Sequence, residues 1–249
     1  MAQASRSVTD LARGLGIAHQ RRVWSQRAAG WNAAFHPDHA DNPALGRVVD
    51  AVVAAARPVP GMSVLDLGAG SGQLSIPFAR QAERVIAVDI SQAMIELLRA
   101  NATDAGLDNI EGRVGPIESI QLAAGSVDLV VSNYALHHLR DPDKAAAIKA
   151  AAGWLRPGGR VVIGDMMFGR GTSPRDRAII ASKASAMMAK GPGGWWRLAK
   201  NAVRFVARLQ ERPISVGRWV EILLEAGLTE VCASPVVAEA AVVSGVRPT

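Results

Sequence analysis

The chain has one cysteine, Cys232, in 249 residues. A lone thiol can form neither an internal disulfide nor a cysteine-cluster metal site. Residues Met1 to Asp10 contain no apolar run and include an acid, which argues against a secretory leader. No stretch approaches the ~18 apolar residues that span a bilayer. Internal repeats and low-complexity tracts are absent as well. These absences set the expectation of a soluble cytoplasmic protein. Apolar residues make up 49% of the chain, enough for the core of one large domain or of one domain with a cap.

Basic charge is present but confined. Lysine is scarce, 5 against 23 arginines. Residues 61–165 carry 9 basic and 12 acidic side chains, whereas residues 166–220 carry 11 basic and 2 acidic. The net charge of +6 therefore belongs to one segment and not to the whole surface.

The chain is organised around Val64-Leu65-Asp66-Leu67-Gly68-Ala69-Gly70-Ser71-Gly72. An apolar run, Ser63 to Leu67, breaks into three alternate glycines and re-forms as a helix from Gln73 to Gln81. Strand, glycine turn and helix form a nucleotide-binding βα unit. The glycines allow backbone angles that side chains forbid, and let a ligand lie on the backbone. The spacing Gly68-x-Gly70-x-Gly72 is not the dinucleotide spacing G-x-G-x-x-G. A second strand, Arg84 to Asp89, ends in an acid placed to accept bonds from both ribose hydroxyls. Asp66 is a carboxylate inside a strand and must have a partner.

Further strands are expected at Asn109 to Val114, Val127 to Ser132 and Arg160 to Gly164. Between them lie helices over Gln92 to Ala105 and about Tyr134 to Leu155. This alternation predicts an α/β fold with a parallel sheet and right-handed crossovers. Residues 166–214 break the rhythm with two helical runs split by Gly191-Pro192-Gly193-Gly194, which reads as a cap inserted after the fifth strand. Ser215 caps a helix to Ala226, and Leu228 to Ala233 and Val236 to Val246 read as a final antiparallel pair. At the N-terminus, Trp24 and Trp31 are two helical turns apart on one face. That face either packs on the body or forms a lid over a cofactor. His36, His39 and Asp41 have ligand character, but no further cluster supports a metal, so a solvated loop is expected. Met166, Met167, Met187 and Met188 read as core or pocket wall.

The run Val64 to Gly72, the strand Val85 to Asp89, Gly125 to Asn133, Leu136-His137-His138-Leu139 and Leu155-Arg156-Pro157-Gly158-Gly159 together resemble class I S-adenosylmethionine-dependent methyltransferases. The likeness is to the subgroup that includes the ubiquinone/menaquinone-type enzymes, and it covers residues 61–165 strongly. It implies a Rossmann-like, seven-stranded, mostly parallel sheet with helices on both faces. In that frame residues 1–57 form an N-terminal helical lid, 58–165 the cofactor-binding core, 166–214 the cap, and 215–249 the C-terminal helix and strand pair. The resemblance further implies that Asp66 and the backbone of Gly68, Ala69, Gly70, Ser71 and Gly72 hold the methionine part of S-adenosyl-L-methionine. Asp89 would take the ribose and Ile90 would pack on adenine. The family's adenine-binding pair falls on Pro116-Ile117, where proline lacks the usual acid, which leaves Glu118 as a substitute. Asn133 would face the transferred methyl. Trp24, Trp31 or Tyr134 would offer an aromatic face to the sulfonium, and His137, His138 and Tyr134 are the candidate general bases.

The expected function is methyl transfer by in-line displacement to a small-molecule acceptor, anionic or aromatic, with no metal. The basic cap, with Arg197, Lys200, Arg204 and Arg208 at helical spacing, is read first as a solvated face. Two other readings stay open. One is peripheral contact with anionic lipid to reach a quinone-type acceptor. The other is a non-catalytic S-adenosylmethionine-binding protein. Nucleic acid is not an expected partner, because Asn133-Tyr134-Ala135-Leu136 lacks the Asn-Pro-Pro-Tyr sequence of exocyclic-amine methylases.

Overall fold

The computed structural model describes residues 16–26, 28, 30, 43–169, 174–188 and 211–249. Its elements in chain order are α1 (residues 16–26), α2 (Pro43–Ala56), β1 (Ser63–Leu67), α3 (Ser75–Ala79), β2 (Arg84–Asp89), α4 (Gln92–Asp104), β3 (Ile110–Val114), β4 (Val127–Asn133), α5 (Asp141–Trp154), β5 (Leu155–Met166), α6 (Pro174–Met188), α7 (Val216–Glu225), β6 (Thr229–Pro235) and β7 (Ala240–Val246). Short 3-10 turns occupy Ile117–Ser119 and Leu136–His138.

The seven strands form one sheet in the order β3-β2-β1-β4-β5-β7-β6. Strands β1 to β5 run parallel, and β7 pairs antiparallel with both β5 and β6. Order reverses between β1 and β4, the switch point where open α/β sheets bind ligands.

The inner strands form because their residues are largely apolar on both faces, as a sheet covered by helices requires; the edge strands β3 and β6 are more polar and more exposed. Val64 packs with Val48 and Val52 of α2 and Phe78 of α3 on one face. Leu65 and Leu67 pack with Ile148 of α5 and Trp219 and Ile222 of α7 on the other. Burying each such side chain contributes about 1.5–3 kcal/mol. Gly164 admits α2: a Cβ there would lie 2.5 Å from Val52 Cγ2. Ser91 and Ser215 cap α4 and α7 by accepting the Met94 and Arg218 N–H groups. Gly106 and Gly227, both at positive φ, follow those helices.

Three expectations shift. The helix expected from Tyr134 begins only at Asp141, because Tyr134 takes a left-handed φ of 48° and Pro142 suits the first helical turn. Leu155 to Gly159 belong to β5 and not to a turn before it. The register moves from Val127↔Leu155 to Leu129↔Arg160, so Pro157-Gly158-Gly159 bulges within the strand. Within the expected lid over 1–57, α2 packs against the sheet and contributes to its core; among the described residues of that span, α1 lies over the site described below. Trp31, His36, His39, Asp41 and residues 189–210, including the arginine stripe, lie outside the described residues.

Candidate active site

The glycine turn sits at the carboxyl edge of the sheet. Gly68, Gly70 and Gly72 all have positive φ, at 79°, 55° and 105°, a region open to glycine. A Cβ on Gly68 would stand 2.2 Å from the Ala135 Cβ. The turns after β1 and β4 therefore touch there, and only glycine fits. The Gly68 and Ala69 N–H groups donate to the Val88 carbonyl at 2.8 and 2.9 Å. Asn101 on α4 donates to the Ser71 carbonyl at 2.9 Å. The turn is thus tied to β2 and α4 before any ligand arrives.

Asp89 closes β2 and is buried to 9% exposure. It accepts the Gly70 N–H at 2.9 Å and the Ser91 N–H at 2.8 Å. Burial pushes its carboxyl above the ordinary value, and these backbone donors pull it back. Asp66 is deeper and accepts the Ser75 hydroxyl at 2.6 Å. Burial pushes its carboxyl up to about 7, the Ser75 bond opposes that, and the neighbouring Asp89 charge adds to it.

An open cleft of about 670 Å³ lies against the turn. Gly68, Gly70 and Gln73 form its floor, and Asp89, Ile90 and Met94 one side. Pro116, Ile117 and Glu118 follow β3, Asn133, Tyr134, Ala135, His138 and Leu139 follow β4, and Gln20 and Trp24 of α1 form the roof. The α1 helix is pinned there. Gln20 Nε2 donates to the His138 carbonyl at 3.1 Å, the Ser25 and Ser91 hydroxyls lie 3.2 Å apart, and the Trp24 ring meets His138 edge-on at 5.4 Å between centroids.

Ten expected site residues thus meet at one cleft: Trp24, Gly68, Gly70, Asp89, Ile90, Pro116, Ile117, Asn133, Tyr134 and His138. Asp66, Ala69, Ser71, Gly72 and His137 are not among its walls. Ala69 and Ser71 are buried, Asp66 turns its carboxylate to Ser75 and Gly72 sits against Ile76. They shape the turn from behind.

The three candidate bases differ. His137 is buried, with its ring Nδ1 2.6 Å from Asp165 Oδ1 and its N–H donating to Asp165 Oδ2 at 2.9 Å. Tyr134 has its phenol pushed up by burial and by the charges of Glu239 and Asp165, which favours its protonated form. His138 lines the cleft, its ring 4.0 Å from that of His137. Asn133 Oδ1 is buried and has no hydrogen-bond partner among the described residues, an acceptor open to a donor.

Sequence reasoning missed Gln20, Gln73, Met94, Leu139 and Asp165. Gln20 precedes Trp24 by four residues, one helical face. Met94 follows Ile90 by four, at the start of α4. Asp165 had the clearest signal: it closes the apolar run Val161-Val162-Ile163-Gly164 as Asp89 closes β2. Among the described residues, no group of three His, Cys, Asp or Glu side chains is arranged to hold a metal ion.

Comparison with known proteins bears on this geometry. A family model described as a methyltransferase domain matches residues 64–159. The chain is 33% identical over 138 residues to the ubiquinone biosynthesis O-methyltransferase of Acinetobacter baumannii (strain ACICU), covering 54% of this chain and 56% of that protein. It is 30% identical over 167 residues to the Brucella anthropi protein of the same name, covering 63% and 66%. The chain thus spans little more than half the length of the Acinetobacter relative it matches. In structure it is similar to magnesium protoporphyrin IX methyltransferase from Synechocystis PCC 6803, with a TM-score of 0.65, 18% identity, and coverage of 93% of this chain and 99% of that one. The glycine turn and the acid closing β2 fall within the matched span, and that match assigns residues 64–159 to a methyltransferase domain.

Proposed function

We propose that the chain uses S-adenosyl-L-methionine to methylate a small-molecule acceptor, with a hydroxyl as the group to test first. The observation that carries this reading is the convergence of Gly68, Gly70, Asp89 and Asn133 on one cleft. The residues present fit such a cofactor. Asp89 offers a buried carboxylate at the cleft wall to vicinal hydroxyls. Ile90, Met94 and Ile117 offer apolar faces to a flat base. The Asn133 Oδ1, without a partner among the described residues, suits an ammonium donor. Glu118, two residues after Pro116, supplies the acid that proline removes from the adenine end.

When bound, the cofactor supplies a methyl group on a sulfonium, open to in-line attack. The protein's part is placement and exclusion of water. Trp24 and Tyr134 present aromatic faces to positive charge. Trp24 and Gln20 roof the cleft. His138 is the imidazole in position to take a proton from an acceptor hydroxyl. The hydroxyl is favoured because the curated relatives named above are O-methyltransferases of ubiquinone biosynthesis, whose name also supports a quinone-type acceptor as a second reading. No described helix is long and apolar enough to cross a membrane.

The test is release of S-adenosylhomocysteine by the purified chain supplied with catechol, and in parallel with a small-metabolite extract. Product formation with a methylated acceptor is expected. Tight S-adenosylhomocysteine binding without turnover on either would overturn the catalytic reading in favour of a cofactor-binding protein.

A further inference from the structure

The turn Tyr134 to His138 forms the acceptor end of the cleft, and its conformation is not one the chain adopts unaided. Tyr134 has a φ of 48°, where a bulky side chain is strained unless its surroundings hold it. Three side chains from distant or following sequence do so. Gln20 takes the His138 carbonyl. Lys144, fully buried, donates to the Leu139 carbonyl at 2.7 Å. Between them Asp165, with no exposed surface, accepts both the backbone N–H and the ring Nδ1 of His137, and also the Met166 N–H at 2.7 Å. The Asp165 carboxylate is thereby fixed to β5 and reaches across to the turn after β4.

We infer that Asp165 and His137 are positioning residues for methyl transfer. Asp165 fixes His137 as the tautomer with the proton on Nδ1, and the pair holds Tyr134, Ala135 and His138 at the acceptor end. Two contacts carry that placement outward. The His137 ring backs the His138 ring at 4.0 Å, and His138 in turn meets Trp24. Ala135 abuts Gly68, where a Cβ would stand at 2.2 Å. The cofactor floor at Gly68 is held independently by the Val88 carbonyl, so loosening the pair acts on the acceptor wall before the donor site. A carboxylate that only completed the core would have no such directional effect. This inference rests on the methyltransferase reading above.

The experiment uses the full chain and two variants, Asp165→Asn and His137→Gln. With catechol as acceptor, each variant is expected to lose about 10- to 100-fold in kcat, with S-adenosylhomocysteine affinity by calorimetry changed less than about 3-fold. Equal loss of kcat, cofactor affinity and melting temperature would mark a merely structural pair and overturn the inference. So would unchanged kcat. An arm independent of turnover uses 15N-labelled imidazole and amide exchange. The wild type is expected to show a protonated Nδ1 at His137, and Asp165→Asn to lose that preference, with faster exchange at Tyr134 to His138. A wild-type His137 protonated on Nε2 alone, or turn amides unaffected in the variant, overturns the inference even if catechol proves not to be a substrate. Failure of the wild type to turn over catechol while this spectroscopic arm succeeds counts against the proposed acceptor and leaves the pair standing.

Discussion

Two strands of the sheet carry a buried aspartate at or beside their carboxyl end, and the two are satisfied differently. Asp89 closes β2 and takes its donors from the backbone of Ser91 and of the glycine turn, Gly70. Asp165, next to last in β5, takes two of its donors from one histidine, 28 residues back along the chain. The first arrangement ties one carboxylate to backbone donors alone. The second also depends on a particular imidazole. The glycine-turn end of the cleft is therefore held through backbone donors, and the Tyr134 end leans on a side-chain pair.

The strongest way to break this division is at the point where the ends touch. Gly68→Ala places a Cβ against Ala135 at a φ that alanine resists. A destabilisation of about 2–4 kcal/mol is expected, with S-adenosylhomocysteine affinity lowered more than about 100-fold; thermal melts and calorimetry report both. Next comes Asp89→Ala, which strands two backbone N–H groups and removes the proposed ribose contact. Affinity should fall about 30-fold or more, and an unchanged value would sink the assignment of Asp89. Trp24→Ala opens the roof alone, and about 5-fold weaker binding is expected, as one aromatic face is worth about 1 kcal/mol.

The smallest effect sharpens the comparison through pH. The Asp66 carboxyl, raised to about 7 in the folded state, binds a proton that the unfolded chain has released. Stability from this group is greatest at acid pH and falls as pH rises from about 4 to about 7, with no further change above. Asp66→Asn removes that slope. The variant should melt above wild type at pH 8 and match it near pH 4 in scanning calorimetry of the cofactor-free protein.

The same division explains what could be read from the sequence. The turn after β1 was legible because its glycines satisfy a steric rule that acts over three residues. Asp89 was legible from its place at the end of an apolar run. The sheet was legible because strands and helices alternate, and Ser91, Gly106, Ser215 and Gly227 punctuate them. His137 was visible as a candidate, but its burial and its bond to Asp165 come from folding that brings β4 beside β5. Tyr134 read as the start of a helix, since nothing local forbids one; the closing of the turn onto Gly164 and Asp165 overrode that propensity. Asp141-Pro142 was the local clue to the later start.

Every residue of β7 is buried, and its partner along Arg160–Met166 is β5. Ala240 follows Met166 by 74 residues. During synthesis the apolar run Val161-Val162-Ile163 therefore emerges with one edge unpaired and waits for a strand not yet made. The closing step is a long-range one, and slow for that reason. A chain stalled before β7 would leave that edge of β5 exposed, a template on which another chain can pair.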